Sequence, residues 1–89
     1  MTTGTDDPAV RLGRRQRTAL AVIRYAGKEG ATSDEIAACL GTERWLMRPR
    51  CAELRNRKLI VDSGARRQNV TGRLATVWIA NDRGGDDDQ

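Results

Sequence analysis

Four arginines, Arg44, Arg48, Arg50 and Arg55, fall within twelve consecutive residues of this 89-residue chain. Three more, Arg66, Arg67 and Arg73, share the stretch from Gly64 to Arg73, GARRQNVTGR, which contains no acid. A guanidinium offers five N–H donors in one plane and keeps its charge at any ordinary pH. It can hold a phosphate, or the O6/N7 edge of a guanine, through two parallel hydrogen bonds. Trp45 stands among the first group, and Gln68 and Asn69 among the second, adding an apolar plate and neutral donors.

Bond-making chemistry has little to work with. The chain has no histidine, the commonest general base. It has no Gly-rich phosphate loop and no nucleophile elbow. Cys39 and Cys51 fall on apolar faces of predicted helices. With no Cys-x-x-Cys, a zinc site would need two thiolates and carboxylates, a poor set, so both read as buried free thiols. The expectation is a binding protein with no metal and no cofactor, not an enzyme.

Charge distribution says more than the formal total of +4. Asp6 and Asp7 lie at one end, and Asp82, Asp86, Asp87 and Asp88 at the other. From Ala9 to Asn81 there are fifteen Lys/Arg against six Asp/Glu, a net of +9. A basic body between acidic ends points to a polyanion, nucleic acid first. No signal-peptide core and no membrane-spanning apolar run is present, so a cytoplasmic protein without a membrane partner is expected. The length suits one domain with a small core. The expected division is a disordered arm over 1–9, a folded domain over 10–81 and a disordered acidic tail over 82–89.

Within that domain, Ala19, Leu20, Ile23 and Ala26 form the stripe of a helix predicted from Gln16 to Lys28, with Gly27 and Gly30 at its end. Arg11, Arg14 and Arg15 before it form either a phosphate-contacting arm or the frayed start of that helix. Thr32-Ser33-Asp34-Glu35 has capping-box spacing, with Ser33 a close competitor as N-cap. The second helix runs to about Leu40, with Ile36, Ala37 and Leu40 inward, and Gly41-Thr42 makes the next turn.

The third helix carries the arginines. Met47, Cys51 and Leu54 fall at i, i+4 and i+7 and share an inward seam that the stem of Lys58 continues. Trp45, Pro49, Ala52 and Asn56 take the opposite face, with Arg44, Arg48 and Arg55 along one flank. Pro49 implies either a late start near Leu46 or a kink, and the late start costs less. Leu59 to Ser63 reads as a strand ending in an Asp62-Ser63-Gly64 turn, and Leu74 to Ala80 as a second strand. The two form a hairpin around the basic loop Gly64 to Arg73, with Trp78 in the core.

Three helices followed by a hairpin make an α+β chain with the order of a winged helix-turn-helix. The run Thr32-Ser33-Asp34-Glu35-Ile36-Ala37, then Leu40-Gly41, Arg48-Pro49-Arg50, Glu53-Leu54, Leu59-Ile60, Asp62-Ser63-Gly64, Thr71-Gly72-Arg73-Leu74-Ala75 and Val77-Trp78 resembles small winged-helix proteins of phages and prophages. Those are similar to the DNA-binding lobe of MarR-like regulators. The likeness covers roughly Gln16 to Ala80. Such proteins usually place glycine just before the Leu-Ile pair, where this chain has Lys58. A non-glycine there costs of order 1 kcal/mol, or the helix ends differently.

The leading expectation is double-stranded DNA binding, by a phage-type transcription regulator. The third helix enters the major groove, with Arg44, Arg48 and Arg50 facing guanine edges or phosphates and Arg55 completing the basic flank. Trp45 touches a thymine methyl or a sugar, or else covers the start of a loose helix. Arg66, Arg67 and Arg73 grip phosphates or reach the minor groove, with Gln68 and Asn69 as neutral donors, unless the loop is merely solvated. The alternatives are a protein-interaction module for a host or replication protein, and an architectural recombination factor. The expected state is a monomer or weak homodimer.

Overall fold

The computed structural model describes residues 12–81. The expectations for the arm at 1–9, for Arg11 and for the tail at 82–89 lie outside the described residues. Three helices come first: α1 (Arg14–Ala26), α2 (Ser33–Leu40) and α3 (Arg44–Asn56). An antiparallel hairpin follows, β1 (Ile60–Gln68) and β2 (Leu74–Ala80). The chain is α+β, and its layout is consistent with a winged helix. Among the described residues no helix is long and apolar enough to cross a membrane.

The stripe on α1 lies where the periodicity puts it, with Ala19, Leu20 and Ile23 buried. The helix itself is shifted two residues toward the N-terminus. Gly13 opens it, its amide donating to Gln16 Oε1 at 2.9 Å. Gly27, at φ 59°, ends it before a single 3-10 turn (Gly27–Glu29). Thr32, and not Ser33, caps α2: Thr32 Oγ1 accepts from the Glu35 amide at 3.1 Å and Glu35 Oε1 from the Thr32 amide at 3.0 Å. Ile36 and Ala37 are buried as expected. Leu40 is not; it is the last residue of α2, lies 37% exposed, and lines an open cleft with Arg14, Arg15 and Thr18.

On α3, Met47, Cys51 and Leu54 are buried, as the seam requires. The expected late start is overturned: α3 begins at Arg44, and Pro49 sits well inside it. Proline inside a helix costs about 3 kcal/mol. Burying Met47, Cys51 and Leu54 contributes about 1.5–3 kcal/mol for each large side chain, on both sides of the proline, so packing outweighs the local penalty. Cys51 is a buried thiol, its pKa pushed up to about 12 by burial, which leaves it inert. Cys39, expected inward, is exposed, because Ile36 and Ala37 already fill the inward face of a helix only eight residues long.

Both α2 and α3 end in the same way. The Thr42 amide donates to the Ala37 carbonyl at 2.9 Å and the Gly41 amide to Ala38 at 3.3 Å, with Gly41 at φ 67°. The Leu59 amide donates to the Leu54 carbonyl at 3.0 Å and the Lys58 amide to Arg55 at 2.8 Å, with Lys58 at φ 64°. Each is a Schellman ending with a left-handed residue, and the second uses lysine where glycine is usual. Lys58 thus stands beyond α3 and does not extend its seam. Two bonds from Asn81, to the carbonyls of Leu59 and Lys58 at 2.9 Å each, tie the end of β2 to this exit.

The hairpin differs most from expectation. β1 runs through Asp62-Ser63-Gly64, which leads into a bulge over Ser63-Gly64-Ala65 and makes no turn. Asp62 pairs with Trp78 and Arg66 with Thr76, so three residues of β1 face one of β2. Asp62 Oδ1 accepts from the Gly64 amide at 2.8 Å, and Ser63 Oγ from the Ala65 amide at 3.1 Å. The true turn is Asn69 to Arg73, closed by the Asn69 amide to the Arg73 carbonyl at 2.8 Å. Arg66 and Arg67 therefore lie on a strand and not in a loop. On its other edge β2 pairs with Ala31, the Ala31 and Trp78 amides each donating to the other's carbonyl at 2.9 and 2.8 Å. Gly30 makes this approach possible; a Cβ there would lie 2.6 Å from the Trp78 carbonyl oxygen. Trp78 itself is partly buried and packs against the core.

Candidate nucleic-acid interface

Side-chain direction on α3 divides its arginines into two groups. Arg44, Arg48 and Arg55 are exposed along one flank, next to the exposed outer residues Trp45, Pro49, Ala52 and Asn56. Trp45 is 67% exposed, so it does not cover a loose helix start. An open cleft between α3 and β2 is lined by Arg48, Ala52, Arg55, Thr76 and Trp78, which places this flank beside the hairpin. Arg50 is on the other flank, toward α1. It forms a two-pronged ion pair with Glu53, Nε to Oε1 and Nη2 to Oε2 at 2.8 Å each. Gln16 Nε2 on α1 donates to the same Glu53 at 2.6 Å. The Arg50 and Gln16 bonds hold the Glu53 carboxyl below the usual glutamate range. The structure thus does not bring Arg50 together with Arg44, Arg48 and Arg55.

Asp34, on the first turn of α2, faces the first group. Arg44 Nη1 is 3.4 Å from its Oδ2 and Arg48 Nη2 is 3.8 Å from its Oδ1. The Asp34 side chain is 12% exposed, and its Oδ1 is sequestered without a hydrogen-bond partner. One carboxylate thus sits under two arginines one helical turn apart.

The wing arginines are engaged differently. Arg66 donates to Asp62 from both terminal nitrogens, at 3.0 and 3.2 Å, across the bulge. Arg67 reaches off the hairpin, Nη1 donating to Glu35 Oε1 at 2.5 Å and Nη2 to the Glu29 carbonyl at 2.7 Å. Burial alone would raise the Glu35 carboxyl, but the bonds from Arg67 and the Thr32 amide outweigh it and hold the pKa below the usual value. Arg67 therefore clamps the wing to the capping box of α2. Asn69 shapes the turn through its backbone, and its side-chain Oδ1 is sequestered and unpartnered. Among the described residues, only Arg55 and Arg73 of the seven arginines in the two groups have no carboxylate within 4 Å.

Two contributors escape a reading of the sequence alone. Asp34 lies ten residues before Arg44, and Glu35 thirty-two before Arg67. Only Glu35 carries a local signal, the capping-box spacing, and that signal says nothing of its second bond. Comparison with known proteins gives no match: no family model, no curated protein and no solved structure aligns with this chain.

Proposed function

We propose that this protein binds double-stranded DNA as a phage-type transcription regulator in the cytoplasm of the cell, without metal, cofactor or catalysis. The observation that carries this reading is the outer face of α3. It is exposed over Trp45, Arg48, Ala52, Arg55 and Asn56, has arginines along one edge, and stands beside a hairpin bearing Arg73. A face of that kind suits a major groove, where arginine reads guanine and small side chains allow close approach. Arg44 and Arg55 take phosphates, Arg48 a base edge, and Trp45 a thymine methyl or sugar. Arg73 takes the backbone beside the groove. Arg50 is paired with Glu53 on its own helix, and Arg67 holds the wing to α2; neither is a base reader. The protein acts as a monomer or a weak homodimer.

A second reading is favoured by exposed apolar side chains. Trp45 on α3, and Val70 and Leu74 at the hairpin end, suit a host or replication protein as the partner. Selection from random duplexes by gel shift separates the two. The DNA reading expects enrichment of a short sequence and retention of binding to long random duplex at low salt. No retained duplex at any salt would leave the protein-partner reading.

A further inference from the structure

Asp34 occupies the second position of α2, where the helix dipole favours an acid. Capping does not need it there, since Thr32 and Glu35 already satisfy each other's amides. Its carboxylate is directed instead at α3, between Arg44 and Arg48. Oδ1 is shut away from water and lacks a donor at hydrogen-bond distance, a costly state. Arg48 Nη2, 3.8 Å away, needs to move by less than about 1 Å to supply one.

At 3.8 Å Arg48 Nη2 is ion-paired with Asp34 but not hydrogen-bonded to it, so the carboxylate biases the guanidinium toward one orientation before any ligand arrives without locking it. The rest of its planar fork is exposed and open to a ligand. That geometry suits the paired O6 and N7 acceptors of guanine. It suits a phosphate less well, because the same carboxylate repels a second anion. A pure phosphate clamp would gain from removing Asp34; a base reader would lose.

Resting on the DNA-binding reading above, we infer that Asp34 is a positioning residue that makes Arg48 a guanine reader, so that the target duplex carries guanine opposite α3. Asp34→Asn keeps the size of the side chain and removes its charge. Affinity for a selected guanine-containing duplex, relative to random duplex, then falls by about 5- to 150-fold, the range of one two-pronged base contact. Random-duplex affinity stays level or rises. In an Arg48→Ala background, Asp34→Asn has no further effect on that ratio. Asp34→Glu, which keeps the charge, restores part of it. Arg48→Lys, with Asp34 in place, keeps the charge but loses the fork, so it too loses the ratio while keeping the salt dependence of binding.

Thermal melting of each variant is followed in parallel. An Asp34→Asn protein that melts like wild type and keeps the full ratio overturns the inference. So does an equal loss in the Arg48→Ala background, which would show that Asp34 acts through the fold. If Asp34→Asn does not fold, Arg48→Lys decides alone: an unchanged ratio overturns the proposal. Wild-type protein that retains no duplex removes the DNA reading itself. Wild-type discrimination without guanine in the selected sequence removes only the role given to Asp34 and Arg48.

Discussion

The α3 flank and the wing carry the same residue type, and they hold it in opposite ways. On α3, Arg44 and Arg48 share one carboxylate from a neighbouring helix and remain exposed. On the hairpin, Arg66 is bound to its own strand and Arg67 is bound to the body of the domain. Arg73 alone of the three wing arginines has no internal partner within reach, among the described residues. A count of charges treats these arginines as equivalent. The structure gives α3 oriented cations, and it gives the wing one open cation and one clamp. A strand that must stay docked spends its charge on the domain; a helix buttressed from behind can keep its charge for a ligand.

The largest effect expected is loss of the core that both regions share. Leu54 and Ile36 are fully buried. Truncating either to alanine costs about 2–5 kcal/mol, read by chemical denaturation. A domain this small has little stability to spare. A midpoint within error of wild type would mean that the inward faces are assigned wrongly.

Arg48→Ala comes next. It is expected to cost about 1–3 kcal/mol on a selected duplex and much less on random duplex, measured by titration. Arg50→Ala should instead lower stability while leaving discrimination intact, because Arg50 is bound to Glu53. Equal loss of discrimination in both variants would erase the distinction between the two flanks of α3.

Arg73→Ala should weaken binding to all duplexes alike and flatten the log–log salt slope by about 0.9, one phosphate's share. Arg67→Ala should flatten it less and lower the melting temperature slightly, since the Arg67–Glu35 pair is exposed to solvent. A larger change of slope from Arg67 than from Arg73 would show that the clamp opens on DNA.

The smallest effect is in acid. The Glu35, Glu53 and Asp62 carboxyls are all held below their ordinary values of 4.5 for glutamate and 3.8 for aspartate. For Asp62 the Arg66 bonds come first and the Gly64 amide second. A lowered folded value means that the ionised form stabilises the fold above the ordinary value, and that this stability is lost as pH falls through the lowered one. The melting temperature should therefore hold level down to about pH 5 and decline below about pH 4. Arg67→Ala should decline less steeply, having already lost one of the bonds that titrate.

Much of this fold is legible in the chain itself. The capping box at Thr32 and Glu35, the seam of Met47, Cys51 and Leu54, and the glycine at position 41 each act within one or two helical turns, where spacing is a sufficient guide. Three features are not local, and each goes astray for its own reason. Pro49 is tolerated because residues on either side of it are buried, and burial depends on the whole domain. Asp62-Ser63-Gly64 has chemistry that closes a turn or a bulge equally well, and only the register against β2 decides. The partners of Arg44, Arg48 and Arg67 come from helices folded against them, so their charge is visible in the sequence and their engagement is not.

The most direct measurement is the affinity of the wild-type protein for a random duplex across a range of salt concentrations. Two or three phosphate contacts, from Arg44, Arg55 and Arg73, predict that log affinity falls against log salt with a slope of roughly −2 to −3. An affinity that does not change with salt, or no binding in the lowest salt, would contradict the account.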